Sequence, residues 1–310
     1  MKKQLLLILL TISLCVSCSK YPNVLQQDFL YVNNIKGKVK SIAAETFEAE
    51  MKLGEVEKGY KTYPTQDMSL YLSYLINSDS KFTLNEDGKV LSSETKYRGL
   101  TSSQIQEVSG EFSYDASGNI IKSVLHIDDV IIETFEIEGG RPVRSETVRQ
   151  DFYRSKLRKV FEYEGDLLKE INIYVGDVDP SYKIKYQYEN GITTSIMYNS
   201  QGKEDNRYAM DEKVRSTFID HPSEWIINYE PGFALPSELR KPADASDQSS
   251  ITTTFDETGN YATWTHKKVD GNTEELTFSY TYDSQGNWTE RIAYKNEEPL
   301  FITYRTYEYY

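Results

Sequence analysis

Tyr282-Asp283-Ser284-Gln285-Gly286-Asn287 is the clearest copy of a short pattern that recurs along this chain of 310 residues. The pattern is an aromatic residue or Leu, then Asp or Asn, two free positions, Gly, and finally Asn or Lys. Four further copies begin at Leu84, Tyr114, Tyr198 and Phe255. The Asp or Asn side chain accepts hydrogen bonds from the backbone N–H groups that follow it, and Gly takes the left-handed conformation without a steric cost. Each copy therefore predicts a hairpin with a type I turn and a bulge at Gly.

Side chains alternate in the segments that flank these turns, as they do in β-strands. Phe112 and Tyr114 lie two residues apart, as do Tyr280 and Tyr282, so each pair shares a face of a sheet. Further turns are predicted at Gly139-Gly140, Glu164-Gly165-Asp166, Glu189-Asn190-Gly191, Asp270-Gly271-Asn272 and Asn296–Pro299. Turns then come about every 11 to 14 residues, the spacing of a meander. The sequence predicts an all-β fold in which repeated antiparallel hairpins form a curled, superhelical or open-barrel-like sheet.

The second residue after each Gly predicts an apolar ladder on one face of this sheet. These positions hold Val90, Ile120, Tyr261 and Trp288, and only Glu204 departs from the pattern. We expect Trp288 to lie in the core for this reason.

Two regions break the hairpin pattern. Asp67 to Ile76 is compatible with a short helix or a buried strand, and its Tyr/Leu alternation favours a strand. Residues 230–250 contain Pro231, Pro236 and Pro242 and predict a long irregular loop, or a seam between an N-terminal and a C-terminal group of hairpins.

The N-terminus has the features of an export signal. Lys2 and Lys3 precede a short apolar stretch that ends at Cys15-Val16-Ser17-Cys18. A small residue before a cysteine at this place resembles a bacterial lipoprotein box, which implies a signal peptide over 1–17, lipidation of Cys18 and a tether over 18–34. The alternative is an ordinary secretory signal. Because Ser19-Lys20-Tyr21 replaces the acidic run found in surface-exported lipoproteins, we expect an anchored protein at the outer membrane that faces the periplasm.

The charge of the chain excludes several classes of partner. Loss of Lys2 and Lys3 takes the formal net charge from −13 to −15. This acidic balance argues against nucleic acid and against anionic lipid surfaces as partners, so we expect contact with the membrane through the lipid alone.

The repeated turns at 112–119 and 278–288 resemble YD repeats of the RHS type. Ile35-Lys36-Gly37-Lys38-Val39-Lys40-Ser41 also resembles the start of the repeat body in uncharacterised Bacteroidetes lipoproteins with such repeats. RHS repeats usually place Arg after the Gly, where this chain has Asn or Lys. The resemblance implies a YD-repeat-like β domain over 35–310 that winds as a curved sheet. It does not imply a toxin shell, because about 290 residues are too few to enclose a cargo domain.

Catalytic and metal-binding patterns are scarce in this sequence. The Asn at the first turn position in two copies does not suit a calcium loop, and the mature chain lacks zinc-type Cys spacing. No Gly-x-Ser-x-Gly elbow is present, and His126, His221 and His266 each have a structural explanation. We predict no metal, no cofactor and no enzymatic activity. A carboxylate-based glycan hydrolase is the alternative, because Asp and Glu are abundant.

Aromatic side chains supply the remaining functional signal. Trp264 lies three residues after Tyr261 and so faces away from the apolar ladder, with His266 on its own face, while Trp225 begins another predicted strand. We predict Trp264, Trp225 and His266 as ligand contacts if they are exposed, since Trp and Tyr stack on sugar rings and peptide side chains. The function predicted is a non-catalytic binding or scaffold module for a glycan or a protein partner. An immunity-type or structural partner of a secreted effector is a further alternative.

Overall fold

The computed structural model describes residues 29–63, 79–98, 105–127, 129–149, 156–176, 179–212, 216–220 and 224–310. Three of the sequence predictions lie outside these residues: the signal peptide with Cys18, the assignment of 67–76, and His221. No helix among the described residues has the length and apolar character needed to cross a membrane.

The described residues form one single-turn helix and twenty-one strands. The helix is α1 (Phe29–Val32). The strands are β1 (Val39–Lys52), β2 (Glu55–Lys61), β3 (Asp79–Leu84), β4 (Val90–Arg98), β5 (Ile105–Tyr114), β6 (Ile120–Ile127), β7 (Asp129–Glu138), β8 (Arg141–Arg149), β9 (Lys156–Glu164), β10 (Leu167–Val175), β11 (Tyr182–Glu189), β12 (Ile192–Asn199), β13 (Glu204–Met210), β14 (Ser216–Asp220), β15 (Glu224–Asn228), β16 (Glu238–Arg240), β17 (Ser250–Phe255), β18 (Tyr261–Lys267), β19 (Thr273–Tyr282), β20 (Trp288–Lys295) and β21 (Glu298–Tyr309).

The chain divides into two compact units. The central unit is Gly110–Glu224, and the terminal unit combines Phe29–Ser109 with Trp225–Tyr310. The sequence signals do not reveal this division, and the second boundary comes shortly before the predicted irregular loop at 230–250. That loop is mostly irregular as predicted, with the short strand β16 inside it.

Strands of the central unit pair with their neighbours in the sequence. The antiparallel order runs from β6 to β14 without a crossover. In the terminal unit β15 to β21 follow the same rule, and β21 then pairs with β1 from Val39↔Tyr309 to Glu48↔Phe301. The other edge of β1 pairs with β2 and β3, and β3 pairs with β4. The all-β class and the repeated antiparallel hairpins are confirmed, and the described strands of each unit form an open sheet.

The five repeated turns have the predicted hydrogen bonds. In every copy the Asp or Asn Oδ1 accepts from the backbone N–H groups two and four residues later, at 2.7–3.1 Å. The Gly has φ between 75° and 87°, which only Gly adopts without strain. The ladder residues Val90, Ile120, Tyr261 and Trp288 are buried, so the predicted apolar ladder is confirmed as well.

Tyrosine hydroxyls connect these turns to later hairpins. Tyr282 donates to Asp256 Oδ2 at 2.5 Å, and Tyr309 donates to Asp283 Oδ2; the tyrosine lies 26 residues after the carboxylate in both cases. Burial alone raises the pKa of Asp283, but hydrogen bonds from Tyr309 and from backbone N–H groups outweigh it and lower the pKa. Each such turn is therefore stabilised as an ionised carboxylate with at least three donors.

The segment from α1 to Gly37 packs on three of the repeated turns. A Cβ atom added at Gly88 would lie 2.8 Å from Leu30 Cδ1, so the Leu30 side chain packs directly on this turn. Further along, Asn34 Nδ2 donates to Thr258 O at 3.1 Å, and Asn287 Oδ1 accepts from Lys36 N–H at 2.7 Å. Phe29 is buried with its ring centroid 4.8 Å from that of Phe82. This end of the predicted tether at 18–34 is therefore packed against the terminal unit.

A buried ion pair lies among the apolar residues of the central unit. Lys159 Nζ lies 2.9 Å from Glu133 Oε1, and their side chains are 2% and 0% exposed. Ser145 Oγ donates to the same carboxylate oxygen at 2.6 Å. The Lys159 ammonium and the Ser145 hydroxyl thus both donate to the Glu133 carboxylate, which offsets the cost of burying these charges away from water.

We expect Asp283→Ala to destabilise the fold by about 1 kcal/mol more than Asn199→Ala, because a part-buried charge-assisted hydrogen bond from Tyr309 is lost in addition to the turn bonds. Asn199 makes the same two turn bonds, at 3.0 Å each, and serves as the matched control. Urea denaturation of the two variants and the wild type measures the difference. Equal losses for the two variants would show that the Tyr309 hydrogen bond contributes nothing to stability.

Candidate functional site

A cleft with a volume of about 290 Å³ opens in the terminal unit. Three segments of the chain form it: α1 with the residues after it, the loop at 232–234, and the repeated turn at 257–259. The side chains that matter for recognition are those of Tyr31, Asn34, Phe233, Glu257 and Thr258.

Packing and hydrogen bonds hold the walls of this cleft in place. Phe233 stacks on Phe255, with ring centroids 4.5 Å apart and planes inclined by 10°. Asn34, whose φ is 51°, reaches across with Nδ2 to Thr258 O and to Asn260 Oδ1, at 3.1 and 3.2 Å. A Cβ at Gly259 would lie 3.3 Å from Phe233 Cδ1, so a glycine allows the close approach of loop and turn.

A hydrogen-bonded network underlies the turn wall of the cleft. Thr258 Oγ1 donates to Asp256 Oδ1 at 2.7 Å, and Tyr282 donates to Asp256 Oδ2 at 2.5 Å. Burial raises the pKa of Asp256, yet the hydrogen bonds from Tyr282 and Thr258 outweigh it and lower the pKa overall. Burial, together with the Asp256 carboxylate, raises the pKa of Tyr282 to about 12. The two pKa values shift in opposite directions, as expected for a phenol that donates its hydrogen bond to a carboxylate.

The chemistry offered by the cleft suits binding. Aromatic rings, an amide and a hydroxyl lie beside the exposed carboxylate of Glu257. Among the residues that line the cleft, Glu257 is the one carboxylate, whereas glycoside hydrolysis needs two facing the bond that breaks. In the part of the chain that the structure describes, no group of three or more His, Cys, Asp or Glu side chains is placed to hold a metal ion.

The three predicted ligand contacts lie elsewhere in the terminal unit. Trp264 is 7% exposed and packs with Ile251 and Leu276, so its ring offers no open face. Its centroid lies 5.6 Å from that of His266, which is half-buried. Trp225 is half-buried too, with Lys241 Nζ 4.0 Å above its ring. A ligand contact at these residues stays a prediction, and the structure does not supply the exposed Trp264 platform on which it was based.

Sequence reasoning did not identify the cleft itself. Glu257 and Thr258 occupy the free positions of a repeated turn, and Phe233 lies in the predicted irregular loop between Pro231 and Pro236. The prolines of 230–250 correctly predicted a region outside the repeated hairpins. The docking of Asn34 onto the turn has no local signal, because these residues are 224 positions apart.

Comparison with known proteins finds no matching family model and no matching curated protein. Among solved structures, the chain is similar to a porin-like protein from Bacteroides uniformis, with 13% identity over 88% of this chain and 98% of the other and a TM-score of 0.34. A porin-like protein from Bacteroides vulgatus gives 15% identity, 67% and 95% coverage and a TM-score of 0.25.

A third solved structure, TcdB2-TccC3-Cdc42, gives 14% identity and a TM-score of 0.27. The alignment covers 72% of this chain and spans 12% of that longer chain. TM-scores this low establish neither a shared fold nor a function, so the fold and the site are described from the chain's own residues.

We expect the imidazole of His266 to titrate below its usual pKa of 6.5, because burial and then the charge of Lys268 disfavour the protonated ring. Asp247 raises this pKa, so Asp247→Asn is expected to lower the midpoint further, and Lys268→Met to raise it. Chemical shifts of the ring carbons followed by NMR measure all three midpoints. Lys58→Met, which removes a cation from the Phe47 ring instead, is the control. A wild-type midpoint above 6.5 would contradict the burial of this ring.

Proposed function

We propose that this protein is a membrane-anchored envelope lipoprotein of the YD-repeat kind and that it binds a glycan, without catalysis, in the cleft between α1, the loop at 232–234 and the turn at 257–259. The observation that carries the proposal is the composition of the cleft: the stacked Phe233 and the ring of Tyr31 beside the polar groups of Asn34, Thr258 and Glu257.

Each part of this composition suits a sugar. The apolar faces of sugar rings stack on aromatic side chains, while their hydroxyls need hydrogen-bond partners on the same surface. A carboxylate such as Glu257 accepts from two hydroxyls at once, and Asn34, whose Nδ2 donates to Thr258 O and Asn260 Oδ1, offers its amide oxygen as an acceptor. A protein partner is the alternative occupant, and a partnership with a secreted effector is one case of it.

The absence of catalysis is supported by the roles of the carboxylates at the cleft. Asp256 is held by Tyr282, Thr258 and backbone donors, which leaves Glu257 as the available carboxylate among the residues that form the cleft. The glycan hydrolase considered from the sequence therefore lacks its second carboxylate at this site.

The proposed location in the envelope is supported by the N-terminal sequence. The lipoprotein-like box at Cys15-Val16-Ser17-Cys18 favours an anchor at the outer membrane, and the residues after Cys18 favour the periplasmic side.

Binding is tested on a glycan array with the full-length protein in detergent micelles. We expect Phe233→Ala and Glu257→Gln each to weaken binding of the selected glycan by about tenfold or more, since each removes a stacking face or a charge-assisted acceptor. Glu86→Gln is the matched control, because Glu86 occupies the same exposed position in the first turn copy. Binding that survives both cleft variants, or no glycan binding at all, would count against the cleft as a glycan site.

Anchoring is tested separately by the fate of Cys18. We expect the wild-type protein to enter the detergent phase of a temperature-induced partition and to carry acyl chains on its N-terminal peptide, as measured by mass spectrometry. Cys18→Ser is expected to abolish both properties, and Cys15→Ser, which falls inside the predicted signal, to retain them. A mature N-terminus other than residue 18 would refute the anchor without affecting the cleft.

A further inference from the structure

Two arginines lie inside the terminal unit on neighbouring strands. Arg291 on β20 and Arg305 on β21 are 6% and 5% exposed. Both surround the buried Trp288: the guanidinium carbon of Arg305 lies 3.6 Å from the ring centroid and that of Arg291 lies 5.2 Å from it. Phe278 is 5.6 Å from the Arg291 guanidinium on a further side. Both guanidiniums therefore lie against the same indole ring in an aromatic environment.

The charges of this pair are not compensated by a carboxylate. Among the described residues no ion pair includes Arg291 or Arg305, whereas the buried Lys159 of the central unit has Glu133 at 2.9 Å. Burial lowers the pKa of Arg291 to about 10 and lowers that of Arg305 as well, which shows how strongly the surroundings disfavour these charges. The chain as a whole has a formal net charge of −13, but among the described residues none of its carboxylates forms an ion pair with these two arginines.

Hydrogen bonding of Arg305 is also incomplete. Each guanidinium has five N–H donors. Arg305 donates through Nη1 to the Tyr307 hydroxyl at 3.4 Å, a long bond, and its buried Nε has no hydrogen-bond partner among the described residues. Buried donors of a charged group without acceptors cost several kcal/mol. Tyr280 donates to Tyr261 O and Tyr307 to Trp288 O, so towards Arg291 and Arg305 these two hydroxyls act as neutral acceptors.

We propose that Arg291 and Arg305 form an internal binding site for one small oxyanion, that is, the phosphate, sulfate or carboxylate group of a ligand. The two guanidiniums lie on neighbouring strands against one ring, Trp288, and guanidinium groups are the donors that suit oxyanions best. Thr303 lies opposite Arg291 in the strand pairing and adds a buried hydroxyl, which is 3.1 Å from that of Thr46.

An oxyanion satisfies both shortcomings at once. It supplies the negative charge that the pair lacks and the acceptors that the buried Nε lacks. The aromatic walls exclude water, so the electrostatic attraction is stronger than at the protein surface. The site is independent of the cleft, since none of its residues lines the cleft.

The test compares thermal unfolding in sodium phosphate with that in sodium chloride at equal ionic strength, on full-length protein dialysed free of oxyanions. We expect phosphate to raise the melting temperature of the wild type with a saturable dependence, because the anion binds the folded state. Arg305→Met is expected to bind at least about tenfold more weakly, the effect of one charge-assisted hydrogen bond. Sulfate and acetate, used in the same way, distinguish a tetrahedral from a planar oxyanion.

Arg207→Met is the matched control, because Arg207 is exposed and forms its ion pair with Glu204. It is expected to keep the full response to phosphate. If phosphate raises the melting temperature of Arg305→Met as much as that of the wild type, the rise is a general salt effect and the proposal is overturned. Equal melting temperatures of the wild type in all four salts would also overturn it. Should Arg305→Met fail to fold, calorimetric titration of the wild type with phosphate decides: saturation at one anion per chain supports the site, and no saturable heat refutes it.

Discussion

The hydrogen bond from a tyrosine hydroxyl to a turn carboxylate is the interaction on which the terminal unit depends. Tyr282 binds Asp256 in this way and Tyr309 binds Asp283, and the partner lies one hairpin later each time. A turn held only by its own backbone would be a local feature. Because the second carboxylate oxygen accepts a hydrogen bond from a tyrosine of the next hairpin, the turn also sets the distance between neighbouring repeats. The segment at Asn34 and Lys36 then binds to turns whose positions are already fixed.

The parts of the fold that are encoded within a few residues could be predicted from the sequence. Asp283 reaches the N–H groups of Gln285 and Asn287 in its own turn, so the hairpin is visible in six letters. The cleft depends on a different kind of contact. Asn34 meets Thr258 across 224 positions, and one polar residue among many gives no sign of such a partner. Trp264 shows the remaining difficulty, because alternation assigns it to a face but does not tell whether that face is covered, as it is by Ile251 and Leu276.

The two units stabilise their buried charged side chains by different interactions. In the central unit Glu133 accepts from both Lys159 and Ser145, so the charges largely compensate within the protein. In the terminal unit Arg291 and Arg305 have aromatic neighbours instead, which reduce the cost of burial through cation–π contacts but accept no strong hydrogen bonds. A chain that needed only stability would gain from apolar residues at both arginines, since a buried charge without a partner is costly. Retaining two arginines here is therefore better explained by a ligand than by packing.

The repeated turn explains why recognition can reside beside a structural motif. In every copy its side-chain hydrogen bonds use the backbone N–H groups of the second free position and of the final Asn or Lys, and they do not require a particular side chain at the two free positions. In the copy at Asp256 these side chains are Glu257 and Thr258, and both face the cleft. A change at Glu257 therefore alters the surface that a ligand meets without removing any bond that the turn requires. The same turn in the copy at Asn85 places Glu86 and Asp87 at these positions, where the turn bonds are equally satisfied. Architecture and specificity are thus carried by different positions of one six-residue pattern.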